Sequence, residues 1–164
     1  GDPIRKGLDY AIHAIYDLVV REVLDLDFWI VGCPADSPIA SRVKVFGMVP
    51  HAQMPEIMAK CHVLVLPSLE DGIALVVQEA MACGVVPVAT PDPAEVFSHP
   101  LFVQEPCGYV VPYRRSADIA DVLRMLYEDR RLLKEMGDKA RAATEQQTWT
   151  KFKESFAAAI SPPA

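Results

Sequence analysis

The chain has 164 residues, of which 51% are hydrophobic and 23% charged, with a formal net charge of −6. That length and balance exclude a disordered polypeptide and suit one domain with a sizeable core. The acidic surplus excludes the basic face that general nucleic-acid binding requires, and no apolar run reaches the ~18 residues of a membrane span.

In chain order, "GDPIRKGLDY" carries no signal-peptide core, and "LDYAIHAIYDLVVREVL" (8–24) has the three- and four-residue apolar spacing of an amphipathic helix. "DFWIVGC" (27–33) reads as a strand, "ADSPIAS" (35–41) as a loop and "VKVFG" (43–47) as a second strand. "AQMPEIMAKC" (52–61) is a short helix with Pro55 in its first turn, where proline is tolerated. "HVLVLPS" (62–68) is a continuous apolar strand, and a turn then leads into a helix over about 74–83. "GVVPVAT" (84–90) is another buried strand, "DPAEVFSH" (92–99) a short helix or turn, and "GYVVP" (108–112) a last strand. Three helices close the chain at 116–128, 130–146 and 149–159, with Ser116 expected as an N-cap, Gly137 an anomaly in the second, Trp149 an anchor for the third and "SPPA" a frayed tail. Short apolar strands separated by helices imply a doubly wound parallel α/β sheet, whose ligands bind outside the carboxyl ends of the strands.

The cysteines Cys33, Cys61, Cys83 and Cys107 form no C-x-x-C pair, and the four histidines show no H-E-x-x-H pattern. A reduced, cytosolic chain without a metal site is expected.

Chemistry concentrates in "PSLEDGIALVVQEAMACG" (67–84). A strand stops at Pro67-Ser68, an acidic turn containing Gly72 follows, and a helix begins whose first amides have no internal acceptors. Such amides favour an anion, and a diphosphate fits. Glu79 sits in the apolar run among Val76, Val77, Ala80 and Met81. A carboxylate there either reaches solvent or accepts hydrogen bonds, and the vicinal hydroxyls of a ribose suit it. The plainer alternatives are that Asp71 is a helix cap and Glu79 a solvated residue of an amphipathic helix.

The same stretch resembles the signature of retaining GT-B glycosyltransferases, roughly P-S-x-x-E-G-F-G-L-x-x-x-E-A-M-A-C/x-G-x-P-V. "RKGLDYAIHAI", "DFWIVG", "VKVFGMVPHAQMPEIMAKCHVLVLPS", "CGYVVP" and the closing "TWTKF" segment extend the likeness over nearly the whole chain. The resemblance implies a Rossmann-like domain over 1–164, the donor-binding second half of a two-domain GT-B fold, with the acceptor half absent. It implies transfer of a hexosyl group from a nucleoside-diphosphate sugar, UDP- or GDP-linked, with retention and without a metal or other cofactor. The acceptor, a sugar, lipid-linked molecule or glycan, would meet the other half, and the compartment would be cytoplasmic, with peripheral attachment at the inner membrane through that half.

Carried over by position, Glu79 holds the donor ribose, and Asp71, in place of glutamate, is catalytic beside the donor sugar. Gly72, Ile73 and Ala74, with Leu75, present backbone amides to sugar and phosphates, and Lys6 is the catalytic cation on the diphosphate. Gly47, Met48 and Val49 lie beside the base. The family's arginine five residues before the lysine would fall at Gly1. Asp71 is one methylene shorter than glutamate, Ala74 adds a Cβ, and "TPDPAEVF" (90–97) replaces a glycine-rich loop, with Glu95 keeping its acid. Glu70 is the alternative catalytic-side acid. Two other classes stay open: a non-catalytic module with a degenerate donor motif, and a sugar-nucleotide epimerase on the same fold.

Overall fold

A computed structural model of the chain describes residues 2–32, 40–72, 74–98, 106–145 and 148–160. In chain order come α1 (Leu8–Tyr16), β1 (Phe28–Val31), β2 (Val43–Gly47), α2 (Met54–Met58), β3 (Val63–Leu66), α3 (Leu75–Ala82), β4 (Val86–Ala89), α4 (Pro91–Ser98) and β5 (Tyr109–Val110), with strands and helices alternating from β2 onward. Helices α5 (Ser116–Glu128), α6 (Arg130–Glu145) and α7 (Trp149–Ile160) follow. Every strand pairing is parallel. Instead of one continuous ladder, the described residues form two: β1–β2, and β3–β4–β5 with β4 in the middle.

The pleat of β4 explains the two-sided packing. Val86 and Val88 belong to one apolar cluster with Ala14, Ile15 and Leu18 from the first helical segment and Ile119, Leu123 and Leu126 from α5. Ala89, one residue out of phase, joins a second cluster with Val77, Met81, Phe97 and Ala140 from α3, α4 and α6. Alternate side chains of one strand thus bury helices on opposite faces, the doubly wound arrangement expected. Phe28 and Val43 also pack on the first cluster, so the two ladders share a core although no strand pairing joins them.

Several boundaries differ from the sequence pattern. The helix expected over 8–24 is α-helical only to Tyr16 and then widens into a π-helical turn, Asp17–Arg21. It closes through Leu24 N–H to the Leu18 carbonyl, with Val23 at a φ of 58°. Apolar spacing cannot register that widening, because Leu18 stays buried either way. The helix expected over 52–61 is a 3-10 turn, His51–Gln53, followed by α2, with Pro55 in its first turn. Ser116 does not cap α5: it is the first helical residue, after Arg115, and no side chain caps that end. Gly137 lies within an unbroken α6, and a Cβ there would stand 2.5 Å from the Gly84 carbonyl. The glycine is a contact point between α6 and the turn after α3. Cys61 and Cys83 pack beside an apolar cluster as free thiols, and Cys107 is buried. Cys33, residues 35–39, the tail 161–164 and the side chain of Trp149 lie outside the described residues.

Candidate functional site

The segment before α1 is pinned to the end of β3. Gly7 precedes α1 with φ 66°, and a Cβ there would meet the Pro67 carbonyl oxygen at 2.0 Å. Only glycine accepts both the left-handed backbone and that approach. Leu69 N–H donates to the Arg5 carbonyl at 2.8 Å, a second tie between the two segments.

These ties bring Lys6 to the turn after β3. Lys6 Nζ donates to Asp71 Oδ2 at 2.5 Å across 65 residues of sequence. The Ser68 hydroxyl donates to the same oxygen at 3.0 Å. Ser68 is itself fully buried, and its carbonyl accepts from Thr90 Oγ1 at 2.6 Å. Arg5 adds a second cation, 3.9 Å from Asp71 Oδ1 and 3.1 Å from the Glu70 carbonyl. Burial pushes the Asp71 carboxyl up, but the bonds from Lys6 and Ser68, with the charges of Lys6 and Arg5, outweigh it and hold the group below the ordinary aspartate range.

Asp92, at the start of α4, completes this corner. Its Oδ2 accepts from the Asp71 backbone N–H at 3.4 Å, and its Oδ1 from the Tyr113 hydroxyl at 2.7 Å. The bond to Asp92 in turn pushes the Tyr113 hydroxyl up.

Helix α3 opens beside this cluster. Ala74 precedes it with an extended backbone, and no side chain caps the end. Leu75 and Val76 lie in the first turn, where the helix itself offers no acceptor for their N–H groups. Leu75 itself is 64% exposed. Glu79 stands one turn further on the same face, at the i,i+4 position from Leu75. His51 Nε2 meets Glu79 Oε1 at 2.9 Å, so Glu79 has a polar partner despite its apolar neighbours.

The expected site residues therefore fall into two groups. Lys6 meets Asp71 in the turn that Gly72 and Ala74 continue into α3, whose first residue is Leu75, with Glu79 one turn into the helix. Gly47 ends β2, and Met48 and Val49 follow it in the loop that reaches Glu79 through His51. Met48 and Val49 also line a cleft of about 300 Å³ with Trp29, Lys44, Phe46 and Gln53. Ile73 lies outside the described residues.

Four details refine the sequence picture. Gly72 does not use a left-handed backbone; its place is instead open, with none of the described residues within 4 Å of where a Cβ would stand. Ala74 turns its Cβ into the core: it is 6% exposed and belongs to the apolar cluster with Leu66, Val77 and Phe97. Of the two candidate acids, Asp71 holds the partners, whereas Glu70 is exposed and contributes a backbone carbonyl. Glu95, expected to keep an acidic position, is exposed on α4, and Asp92 is the acid that reaches the turn.

Pattern reading missed Arg5, Ser68, Asp92, Tyr113 and His51. The doublet Arg5-Lys6 before a glycine and the acid two residues after Thr90 were available signals. A second, shallower cleft of about 500 Å³ lies at the far end of α3, lined by Cys83, Arg141 and Glu145, and holds none of this chemistry. Among the described residues no group of three or more His, Cys, Asp or Glu could hold a metal ion, and no helix is long and apolar enough to cross a membrane.

The sequence profile described as Glycosyl transferases group 1 matches residues 2–129. A D-inositol 3-phosphate glycosyltransferase from Streptomyces bingchenggensis is 39% identical over 167 aligned positions, covering 89% of this chain and 35% of that protein. An alpha-D-kanosaminyltransferase from Streptomyces kanamyceticus is 28% identical, with 82% and 36% covered. The chain thus spans about a third of the length of these curated relatives. Among solved structures, the lipopolysaccharide-biosynthesis glycosyltransferase WaaG superposes with TM-score 0.75 at 22% identity, covering 99% of this chain and 45% of that one. The C-terminal domain of the glycosyl transferase group 1 protein LpcC from Francisella tularensis gives 0.71 at 21% identity, with 88% and 80% covered. HepE from Anabaena, solved with UDP-glucose, gives 0.74 at 20% identity, with 94% and 46% covered.

Proposed function

The chain belongs to the Glycosyl transferases group 1 family, and from that premise we propose that it forms the donor-binding half of a hexosyltransferase. The donor is a nucleoside-diphosphate sugar and the product keeps the donor's anomeric configuration. The observation that carries this is the meeting of Lys6, Arg5 and Asp71 at the uncapped first turn of α3. The Anabaena neighbour solved with UDP-glucose supports the choice of ligand class.

In this assignment the pyrophosphate lies against the N–H groups of Leu75 and Val76, with Gly72 leaving room for its approach. Glu79 accepts from the two ribose hydroxyls, and the loop Gly47–Val49 borders the base. During transfer the bond between the anomeric carbon and the diphosphate oxygen breaks while the acceptor's hydroxyl oxygen bonds to that carbon; the hydroxyl proton passes to the departing diphosphate, on which charge builds. Lys6, Arg5 and the helix amides stabilise that charge; one well-placed donor of this kind is worth about 2.7–4 kcal/mol. With two cations and a helix terminus at the leaving group, no metal is required. Lys6 must be shared between Asp71 and the diphosphate, so its ion pair with Asp71 loosens when donor binds. Acceptor recognition belongs to a second domain facing this cleft, and the 164-residue chain alone binds nucleotide weakly and transfers no sugar.

Isothermal titration with UDP and GDP tests the assignment. Weak binding of at least one is expected, and silence from both at millimolar concentration overturns it. A second reading has its own observation: Asp71 already engages Lys6, and Asp92 occupies its backbone N–H, so the corner is closed on itself as a non-catalytic module would be. Asp71→Glu with Ala74→Gly, made in a protein carrying both halves, separates the two. A pseudo-enzyme stays inactive, whereas an active one tolerates the change or improves.

A further inference from the structure

Histidine 51 occupies a place that needs explaining. Its side chain is 83% exposed and so has no core role, yet its Nε2 lies 2.9 Å from Glu79 Oε1 on another element. An ionised carboxylate only accepts, so the imidazole nitrogen donates. The backbone beneath the ring is fixed on both sides. Gln53 N–H donates to the Pro50 carbonyl at 2.9 Å, and Met54 N–H donates to the His51 carbonyl. Glu79 is itself 34% exposed and bordered by apolar neighbours, so without a partner its carboxylate would sample several rotamers.

We propose that His51 is a positioning residue for Glu79 and, through it, a determinant of ribose recognition. Each carboxylate oxygen has two acceptor positions. With the imidazole N–H on one position of Oε1, the second position of Oε1 and the whole of Oε2 remain for other donors, a number suited to two vicinal hydroxyls. The same bond ties the loop Gly47–Pro50 to α3, so the base side and the ribose side of the cleft hold a fixed relation. A side chain ordered before the ligand arrives adds less ordering cost on binding. This inference rests on the donor-site assignment above. It adds a residue which that assignment does not use, and it affects the hydroxyl-dependent part of affinity rather than the diphosphate part.

The test uses the 164-residue chain and calorimetric titration. The ligands are UDP or GDP, whichever binds the unmodified chain more tightly, and its 2′-deoxy analogue. The unmodified chain is expected to prefer the ribonucleotide, and Glu79→Ala to abolish that preference. His51→Ala is expected to shrink the preference about three- to tenfold, the size of one hydrogen bond to a charged acceptor near the surface, while barely changing affinity for the 2′-deoxy analogue. His51→Gln, whose amide can donate from a similar position, should recover most of the loss. If His51→Ala keeps the full preference, or weakens both ligands equally, the positioning role is wrong while the donor assignment stands. If the unmodified chain binds neither nucleotide, or Glu79→Ala keeps the preference, the donor assignment fails and this inference falls with it.

Discussion

Strands β2 and β4 are both rich in valine and carry opposite burdens. All four residues of β4 are buried, with parallel partners on both sides. In β2, Lys44 and Val45 are exposed, and among the described residues the strand pairs on one side only. The Lys6–Asp71 corner hangs from β3, β4 and the chain before α1, where the backbone is closely packed. The loop Gly47–Val49 hangs from the lightly covered ribbon. In the proposed donor site, charge neutralisation would thus rest on the more rigid ground and base contact on ground that can adjust, with the His51–Glu79 bond as the link between them.

The largest break in this contrast should come from Gly7→Ala. The new Cβ would meet the Pro67 carbonyl oxygen at 2.0 Å, on a backbone with φ 66°. The left-handed conformation and the forced shift together predict a loss of about 2–4 kcal/mol, read by thermal or urea denaturation. Because the shift moves Lys6 off the turn, nucleotide binding should weaken with stability. A variant as stable as the parent would mean that the segment before α1 is not held against β3.

Next comes a matched pair of truncations. Val88→Ala removes two methyl groups from a fully buried position between Val65 and Tyr109, and about 2 kcal/mol should be lost. Val45→Ala in β2, at 42% exposure, should cost under ~1 kcal/mol. Equal losses in denaturant titrations would erase the distinction between the two ladders.

Asp71→Asn probes the charged corner itself. The folded-state pKa of Asp71 is depressed, so its ionised form stabilises the fold above the ordinary aspartate range, and that contribution disappears as pH falls through the folded value. At pH 7 the variant should be less stable by about 1 kcal/mol, a modest figure because Lys6 is part-exposed and water screens the pair. The gap should close as pH falls below about 4, the parent losing its advantage while the variant does not. A gap that stays constant down to pH 2 would show that the carboxylate charge is not what Lys6 and Ser68 recognise.

How much of this was legible in the sequence divides along the same line. Elements whose apolar period is long or unbroken came out close to place: residues 116–128 as α5, 43–47 as β2 and 130–146 as α6 to within a residue. Burial of one face is written into the spacing, and that is all the spacing records. The mouth of α3 was legible because a strand, an acidic turn and an apolar helix are contiguous in the chain. The partners of those residues were not. Lys6 meets Asp71 across 65 residues, Tyr113 meets Asp92 across 21, and His51 meets Glu79 across 28. Such pairs depend on strand order and on the direction of each side chain, which periodicity leaves undetermined. The π-helical turn after Tyr16 was hidden for a related reason, since widening a helix by one residue moves few side chains between core and solvent.

The smallest effect belongs to the ribbon's own ornament. Lys44 Nζ stands 5.2 Å from the Trp29 ring centroid and 4.6 Å from that of Phe46, and the two rings are 5.2 Å apart. Lys44 is exposed, so water already solvates the ammonium, and the cation–π contacts should contribute only about 0.5 kcal/mol. Lys44→Ala should therefore lower the melting temperature by about 1–2 °C. Its clearer signature is optical: without the lysine stem over the ring, Trp29 should be quenched more readily by acrylamide, measured in a Trp149→Phe background so that one indole reports. A melting shift as large as that of Gly7→Ala would reverse the assignment of rigid and adjustable halves, because the ribbon would then be held by its surface rather than by the core it shares with β3 and β4.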